Sequence, residues 1–122
     1  MKATILKFDN VAYFDVDDTL VMHKFPDHQL GDAIEIFIPD RELFRATVVP
    51  NVDHIERLKL HKAWGNGVVV WSRSGWEWAE AVVKALQLEE YVDFIAAKPM
   101  YYYDDKPCCK ILGEHRYIEP PK

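Results

Sequence analysis

The chain has 122 residues, of which 49% are hydrophobic and 29% are charged, and this is the composition of a single globular domain. Its net charge of −5 excludes a protein whose main role is to coat nucleic acid. No apolar run reaches the ~20 residues of a membrane span, and the first twenty residues lack the apolar centre of a signal peptide. The two cysteines, Cys108 and Cys109, are adjacent and cannot form a disulfide framework. We therefore expect a soluble, cytoplasmic protein with one domain over residues 1–122.

Short apolar runs alternate with helical patterns, which predicts an α/β domain with a mostly parallel sheet. In the N-terminal half, the predicted elements are a short strand at 3–8, a strand at 11–14, a loop at 21–31, and a β-hairpin of 33–38 and 43–49 closed by a turn at 39–42. In the C-terminal half, they are a helix from 51 to about 64, a strand at 68–71, a helix at 76–86, strands at 92–96 and 101–103, a helical turn at 110–112 and a last strand at 116–118.

The second predicted helix has the clearest apolar face in the chain. Trp76 lies on this face, and we expect it in the core, whereas Trp78 lies off the face and is a candidate for lining a substrate pocket. Ser74 is predicted as the N-cap, with Glu77 completing a capping box.

Polar side chains follow four of the predicted strands at the point where each strand ends. In chain order these residues are Asp15, Asp17 and Thr19, then Ser72 and Arg73, then Lys98, and finally Asp104 and Asp105. Because ligands bind at the carboxyl ends of parallel strands, we expect all of these side chains to form one site.

The composition of this predicted site indicates phosphoryl transfer. Four carboxylates at one site repel one another unless a cation lies between them, and oxygen ligands favour Mg²⁺. A hydroxyl group, a lysine and an arginine are the donors that bind a phosphate group. A metal ion on one side and such donors on the other form a site for phosphoryl transfer.

The sequence Asp15-Val16-Asp17-Asp18-Thr19-Leu20 resembles the first motif, DxDxT, of the haloacid dehalogenase-like (HAD) superfamily of aspartate-nucleophile phosphatases. Ser72 is similar to the second motif, Lys98 to the third, and the pair Asp104-Asp105 to the fourth, in the order of the family. The resemblance implies a Rossmann-like, mostly parallel sheet flanked by helices and a Mg²⁺-dependent phosphomonoesterase.

The resemblance also implies a role for each residue of the predicted site. Asp15 is the expected nucleophile, and Asp17 is the expected general acid and base. Thr19 and Ser72 are expected to steady the loop and the phosphate oxygens, and Lys98 to neutralise their charge. The expected Mg²⁺ ligands are Asp15, Asp17 through its carbonyl group, and Asp104 or Asp105. Arg73 is a candidate substrate contact, with a solvated arginine as the alternative.

Two positions depart from the family pattern. Asp18 stands where many members have glycine, and Lys98 lies only six residues before Asp104, so no crossover helix separates the third and fourth predicted strands. The second departure leaves the choice between Asp104 and Asp105 open.

The segment between the first motif and the first helix is too short for a full cap domain. We call residues 21–49 the flap, and expect an open site that accepts a phosphorylated small molecule or the phosphorylated end of a macromolecule. Nucleic acid is expected only as a substrate, with Arg41, Arg45 and Arg73 as a basic rim. Two other functions remain open, a phospho-accepting domain and a catalytically idle binding module, and the sequence predicts no oligomeric state.

Overall fold

The computed structural model describes residues 3, 5–24, 32–39 and 41–119 and confirms the α/β class. A three-stranded parallel sheet and a separate three-stranded antiparallel sheet are accompanied by short helices. The elements are β1 Val11–Asp15, β2 Val21–Met22, β3 Ile34–Ile38, β4 Arg41–Pro50, α1 Val52–Ala63, β5 Gly67–Ser72, α2 Trp76–Ala85, a 3₁₀ turn Glu89–Tyr91, β6 Phe94–Ala97 and α3 Cys108–Ile111. No helix within the described residues has the length and apolarity that a membrane span requires.

The parallel sheet has the strand order β1-β5-β6 and aligns the carboxyl ends of its strands. Asp15 is paired with Trp71, and Ser72 is paired with Ala97, so the residues that follow these strands emerge at one edge. Residues 68–70 are three consecutive valines, a continuous apolar run that is typical of a central parallel strand.

The two faces of this sheet differ. Phe14, Val68 and Val70 belong to the hydrophobic core together with Leu58 of α1 and Val82 of α2, which puts both helices on their face. The opposite face carries Tyr13 and Phe94, whose side chains are 54% and 44% exposed. Helices therefore cover one face of the described sheet.

The flap forms the antiparallel sheet, with the strand order β2-β4-β3. The predicted hairpin is confirmed, with a register shift between Phe37 and Ile38. Ile36 and Ile38 are buried in the common core, and Arg41 forms a 2.8 Å ion pair with Glu77 of α2. The flap is thus packed on α2. The predicted loop at 21–31 begins instead with a strand, β2, and residues 25–31 and 40 lie outside the described residues.

Three predicted strands are wrong where the structure describes them. Residues 3, 5–8, 101–103 and 116–118 have no strand pairing. The tyrosine run shows the reason, because Tyr101 is 81% exposed and Tyr103 is 98% exposed, and they pack on no neighbouring strand. The strand preference of tyrosine comes from such packing and is lost without it.

The prediction that Trp76 of α2 lies in the core is also wrong, although Ala79 and Val83 on the same helix are buried in the core. Trp78 is 2% exposed, whereas Trp76 is 54% exposed and lines a cleft of about 360 Å³ between α2 and β3. The reason is that the flap packs on α2 beside the sheet, so the buried face is wider than the spacing of apolar residues predicts. Gly75, with φ of 109°, is the N-cap without a side-chain hydrogen bond, so the capping box predicted at Ser74 does not form.

Candidate active site

The acidic loop, residues 15–20, leaves β1 in a tight turn. The carbonyl of Val16 accepts hydrogen bonds from the backbone N–H groups of Thr19, Leu20 and Val21 at 3.0–3.2 Å. Val16 and Leu20 are fully buried, while Asp15, Asp17 and Thr19 remain partly exposed. The alternation of apolar and polar residues therefore anchors the loop in the core and leaves its acids accessible.

Asp18 lies in the left-handed region of backbone conformation, with φ of 60°. Glycine adopts this conformation without strain, and aspartate tolerates it better than most other residues. The Asp18 carboxylate accepts a 3.2 Å hydrogen bond from the backbone N–H of His23, which closes the loop. Asp18 thus stands at a position where the chain needs a positive φ.

Asp15 is held between two donors. The Lys98 ammonium lies 3.0 Å from Asp15 Oδ1, and the Thr19 hydroxyl donates to Oδ2 at 3.2 Å. The backbone N–H of Lys98 donates to the carbonyl of Ser72 at 3.0 Å, which fixes the start of the lysine segment to the end of β5. Three residues that were predicted to share a site, Asp15, Thr19 and Lys98, are therefore in direct contact.

Asp17 receives hydrogen bonds from three separate segments. Its Oδ1 lies 2.7 Å from His23 Nε2 and 3.0 Å from the indole N–H of Trp78, and the Ser74 hydroxyl donates to Oδ2 at 3.4 Å. The indole N–H can only donate, so the Asp17 carboxylate is the acceptor. These hydrogen bonds fix the orientation of Asp17. Trp78 was a candidate for lining a substrate pocket, whereas His23 and Ser74 were not among the predicted site residues.

Ser72 and Arg73 differ in accessibility. Ser72 is fully buried, and its hydroxyl accepts a 3.0 Å hydrogen bond from the backbone N–H of Ser74. The Ser72 carbonyl also accepts hydrogen bonds from the backbone N–H groups of Gly75 and Lys98. Ser72 therefore connects the segment that follows β5 with the segment that follows β6. Arg73 is exposed at the same end of the sheet.

Asp104 and Asp105 lie on an exposed segment instead of following a strand. Asp104 Oδ1 accepts a 3.0 Å hydrogen bond from the backbone N–H of Lys106, two residues away. Within the described residues, no three His, Cys, Asp or Glu side chains are grouped closely enough to hold a metal ion. The structure therefore brings Asp15, Asp17, Thr19 and Lys98 together without either of these two aspartates.

A buried polar pair, Asn51 and His54, supports the acidic loop from behind. His54 Nδ1 lies 2.8 Å from the carbonyl of Thr19, and His54 Nε2 lies 2.9 Å from the backbone N–H of Ile118. Because the carbonyl only accepts and the backbone N–H only donates, Nδ1 is the donor and Nε2 is the acceptor in these two hydrogen bonds. The backbone N–H of Asn51 donates to the carbonyl of Leu20 at 2.8 Å.

Tyr117 adds a second contact from the C-terminal part of the chain. Its hydroxyl donates to the carbonyl of Asp18 at 3.1 Å, and its ring packs on His54 with centroids 5.1 Å apart. Burial raises the pKa of Tyr117, with the negative charges of Glu119 and Asp18 acting in the same direction. No sequence signal links these residues to the loop, because 99 positions separate Tyr117 from Asp18.

The arrangement offers a carboxylate beside a lysine ammonium, with a second, oriented carboxylate two residues further on. Such a set can attack an electrophilic centre and balance the charge on its oxygen atoms. Comparisons with protein-family models, with curated proteins and with solved structures find no match to this chain. The function is therefore argued from the chemistry of these residues.

Proposed function

We propose that this protein is a Mg²⁺-dependent phosphomonoesterase that acts through an aspartyl-phosphate on Asp15. The observation that carries the proposal is the contact of Asp15 with both Lys98 and Thr19 at the carboxyl end of a parallel sheet. Ligands of open α/β sheets bind at this end. The resemblance of the acidic loop to the first motif of the HAD superfamily supports the same reaction, and a Rossmann-like relationship of the sheet is part of the proposal.

In the first step, an Asp15 oxygen forms a bond to phosphorus while the bond from phosphorus to the ester oxygen breaks. The Thr19 hydroxyl holds Oδ2, which leaves the orientation of the attacking carboxylate fixed. The Lys98 ammonium, 3.0 Å from the other oxygen, balances negative charge on the transferring group.

Asp17 is the proposed proton carrier of both steps. This role requires Asp17 to be protonated when the substrate binds. It gives this proton to the departing ester oxygen, and as a carboxylate it then takes a proton from the water that attacks the aspartyl-phosphate. The bond between phosphorus and Asp15 breaks in this second step and regenerates the carboxylate. The hydrogen bonds from His23, Trp78 and Ser74 support this role because they keep the Asp17 carboxylate in one position.

The donor set of the loop fits Mg²⁺, which prefers oxygen ligands and commonly binds proteins through one or two carboxylates. The proposed ligands are the Asp15 carboxylate and the carbonyl of Asp17, since the backbone hydrogen bonds within the turn use the carbonyls of Val16 and Val21. When bound, Mg²⁺ supplies positive charge to the phosphoryl oxygens. The metal-binding role predicted from the sequence for Asp104 or Asp105 is not part of this proposal, because both lie on an exposed segment.

The test is Mg²⁺-dependent release of phosphate from 4-nitrophenyl phosphate by the wild-type protein and by Asp15→Asn. We expect the variant to lose at least about a thousandfold in kcat, because the nucleophile is removed. Asp53→Asn, an exposed aspartate in the first turn of α1, is the matched control and should retain the wild-type rate.

Other outcomes identify the two alternative functions. Equal inactivity of wild type and Asp15→Asn across a broad panel of phosphate esters would contradict the enzyme proposal and favour a binding module. A beryllofluoride adduct on Asp15 without turnover would favour a phospho-accepting domain.

A further inference from the structure

We propose that the substrate is a mononucleotide, whose base stacks on an aromatic platform of Tyr13 and Trp71 beside Asp15. The proposal rests on the phosphatase function above and adds the chemical class of the group that carries the phosphate. It assigns a binding role to two residues that lie outside the predicted site.

The platform and the candidate nucleophile share one face of the sheet. Tyr13 precedes Asp15 by two positions in β1, and Trp71 is the direct partner of Asp15 in β5. The rings of Tyr13 and Trp71 are in contact, with centroids 4.6 Å apart and an interplanar angle of 58°. The two aromatic side chains therefore form one surface that begins next to the nucleophile.

Lys98 connects this surface to the reaction centre. Its ammonium group lies 3.0 Å from Asp15 Oδ1 and 5.9 Å from the centre of the Trp71 ring. A phosphate group at Lys98 is thus also next to the indole ring. Tyr13 lies two residues before Asp15 in β1, which corresponds to about 7 Å along the strand. A base joined to the phosphate through its sugar extends over this distance.

The platform is partly exposed on a face that sheets of this kind normally cover, with Tyr13 exposed and Trp71 half-buried. Parallel sheets usually bury both faces, yet Tyr13 is 54% exposed, and Phe94 of β6 is 44% exposed on the same face. Exposed aromatic surface next to polar groups is typical of a ligand-binding site. Every nucleic acid base has a flat π-face that stacks on such rings.

The charges favour one phosphate over a polynucleotide chain. Binding of a polynucleotide needs several cations along its backbone. Two arginines of the predicted basic rim are engaged elsewhere, since Arg41 pairs with Glu77 and Arg45 lies 3.5 Å from Glu35 on the flap. The net charge of −5 also disfavours the binding of a polyanion. Lys98, beside the platform, suits a single phosphate group.

The test compares two probes that differ only in the base, deoxyadenosine 5′-monophosphate and 2-deoxyribose 5-phosphate. Binding of each is measured by calorimetry with Asp15→Asn, which cannot form the aspartyl-phosphate, and again with wild-type protein in EDTA. We expect the nucleotide to bind at least about tenfold more tightly than the sugar phosphate, the size of effect that base stacking on one aromatic group produces.

The platform is then tested with Tyr13→Leu and Trp71→Leu. Both variants should remove most of the preference for the nucleotide while leaving the affinity for the sugar phosphate within about twofold. Trp76→Leu is the matched control, because Trp76 is as exposed as Tyr13 and lies in the cleft between α2 and β3. Tyr13 is a surface residue, so its variant keeps the test decisive even where Trp71→Leu fails to fold.

The outcomes separate the substrate class from the proposed function. Equal binding of the two probes, or an equal loss of both in Tyr13→Leu, would overturn the aromatic platform. Wild-type turnover of both phosphates at the same rate would then still agree with a phosphatase. Absence of turnover of any phosphate ester would contradict the phosphatase, while the binding preference would still decide whether the platform recognises a base.

Discussion

The acidic loop carries three aspartates and the segment around Asp104 and Asp105 carries two, but the two regions differ in how the structure holds them. The loop follows a paired strand, and its backbone and acids bond to α1, α2, the Lys98 segment and the C-terminal residues. The segment at 101–107 is exposed throughout, and the contact of Asp104 is with its own neighbour, Lys106. Acidic residues that follow an apolar run therefore form a site only where long-range contacts position them. The apolar run alone does not predict such a site.

After replacement of Asp15 itself, the largest expected effect is at Lys98, its partner in the contact that carries the proposed function. We expect Lys98→Ala to lower kcat by about a hundredfold to a thousandfold, because it removes the cation that faces both Asp15 and the transferring group. The measurement is steady-state phosphate release at saturating Mg²⁺. Lys84→Ala is the control, since Lys84 is an exposed lysine paired with Glu80 on α2. A Lys98→Ala rate within threefold of wild type would remove this lysine from the mechanism.

The next effect lies behind the loop, at His54. We expect His54→Leu to lower the free energy of unfolding by about 2 kcal/mol, because it leaves the Thr19 carbonyl and the Ile118 N–H without partners in a partly buried region. Urea unfolding measures the change, and His115→Leu at an exposed position is the control. A loss below 1 kcal/mol would show that the C-terminal residues do not support the acidic loop through His54.

This comparison also shows which parts of the site could be predicted from the sequence. The turn of the acidic loop is local, so its alternation of acidic and buried residues is readable from residues 15–20 alone. Lys98 was placed correctly because it follows β6, which is parallel to β5 and ends at the same edge. Both inferences depend only on strand ends and on alternation within one segment.

The contacts of Trp78 and His54 could not be predicted in this way. Trp78 packs on Phe44 of the flap, with ring centroids 5.7 Å apart, while its indole N–H donates to Asp17. The partners of His54 lie 35 and 64 positions away in the chain. Such contacts follow from the packing of whole helices and strands, which the local sequence does not encode. For the same reason, the sequence of residues 101–103 does not show that this segment lacks a partner strand.

Asp93 lies outside the site and, like the acidic loop, is held by long-range contacts, so its contribution to stability depends on pH. Burial acts to raise the pKa of Asp93, but hydrogen bonds from the Lys62 ammonium and the Val68 N–H outweigh it and hold the pKa below its ordinary value. The folded state therefore binds the proton less readily than the unfolded state, so Asp93 stabilises the fold above the ordinary carboxyl pKa. This stabilisation is lost as the pH falls through the lower pKa of the folded state.

We accordingly expect Asp93→Asn to cost about 1.5 kcal/mol at pH 7, the contribution of hydrogen bonds to a charged group. The difference from wild type should shrink as the pH falls below about 4, where the unfolded-state carboxyl takes up its proton. Urea unfolding at a series of pH values measures it, with Asp53→Asn as the exposed control. A difference that stays constant down to pH 2 would show that the charge of Asp93 is not the cause.

The smallest effects are expected at Asp104 and Asp105. Each aspartate is exposed, so replacement by asparagine should change the free energy of unfolding by less than about 0.5 kcal/mol. Since neither residue is grouped with Asp15 and Asp17, we also expect the Mg²⁺ concentration for half-maximal activity to shift by less than about threefold. A tenfold rise in one variant alone would instead identify that aspartate as the predicted metal ligand, because a carboxylate that binds the ion lowers the concentration needed. It would also mean that this segment moves onto the acidic loop when Mg²⁺ and substrate bind. The exposure of residues 101–107 would then be a property of the free protein only.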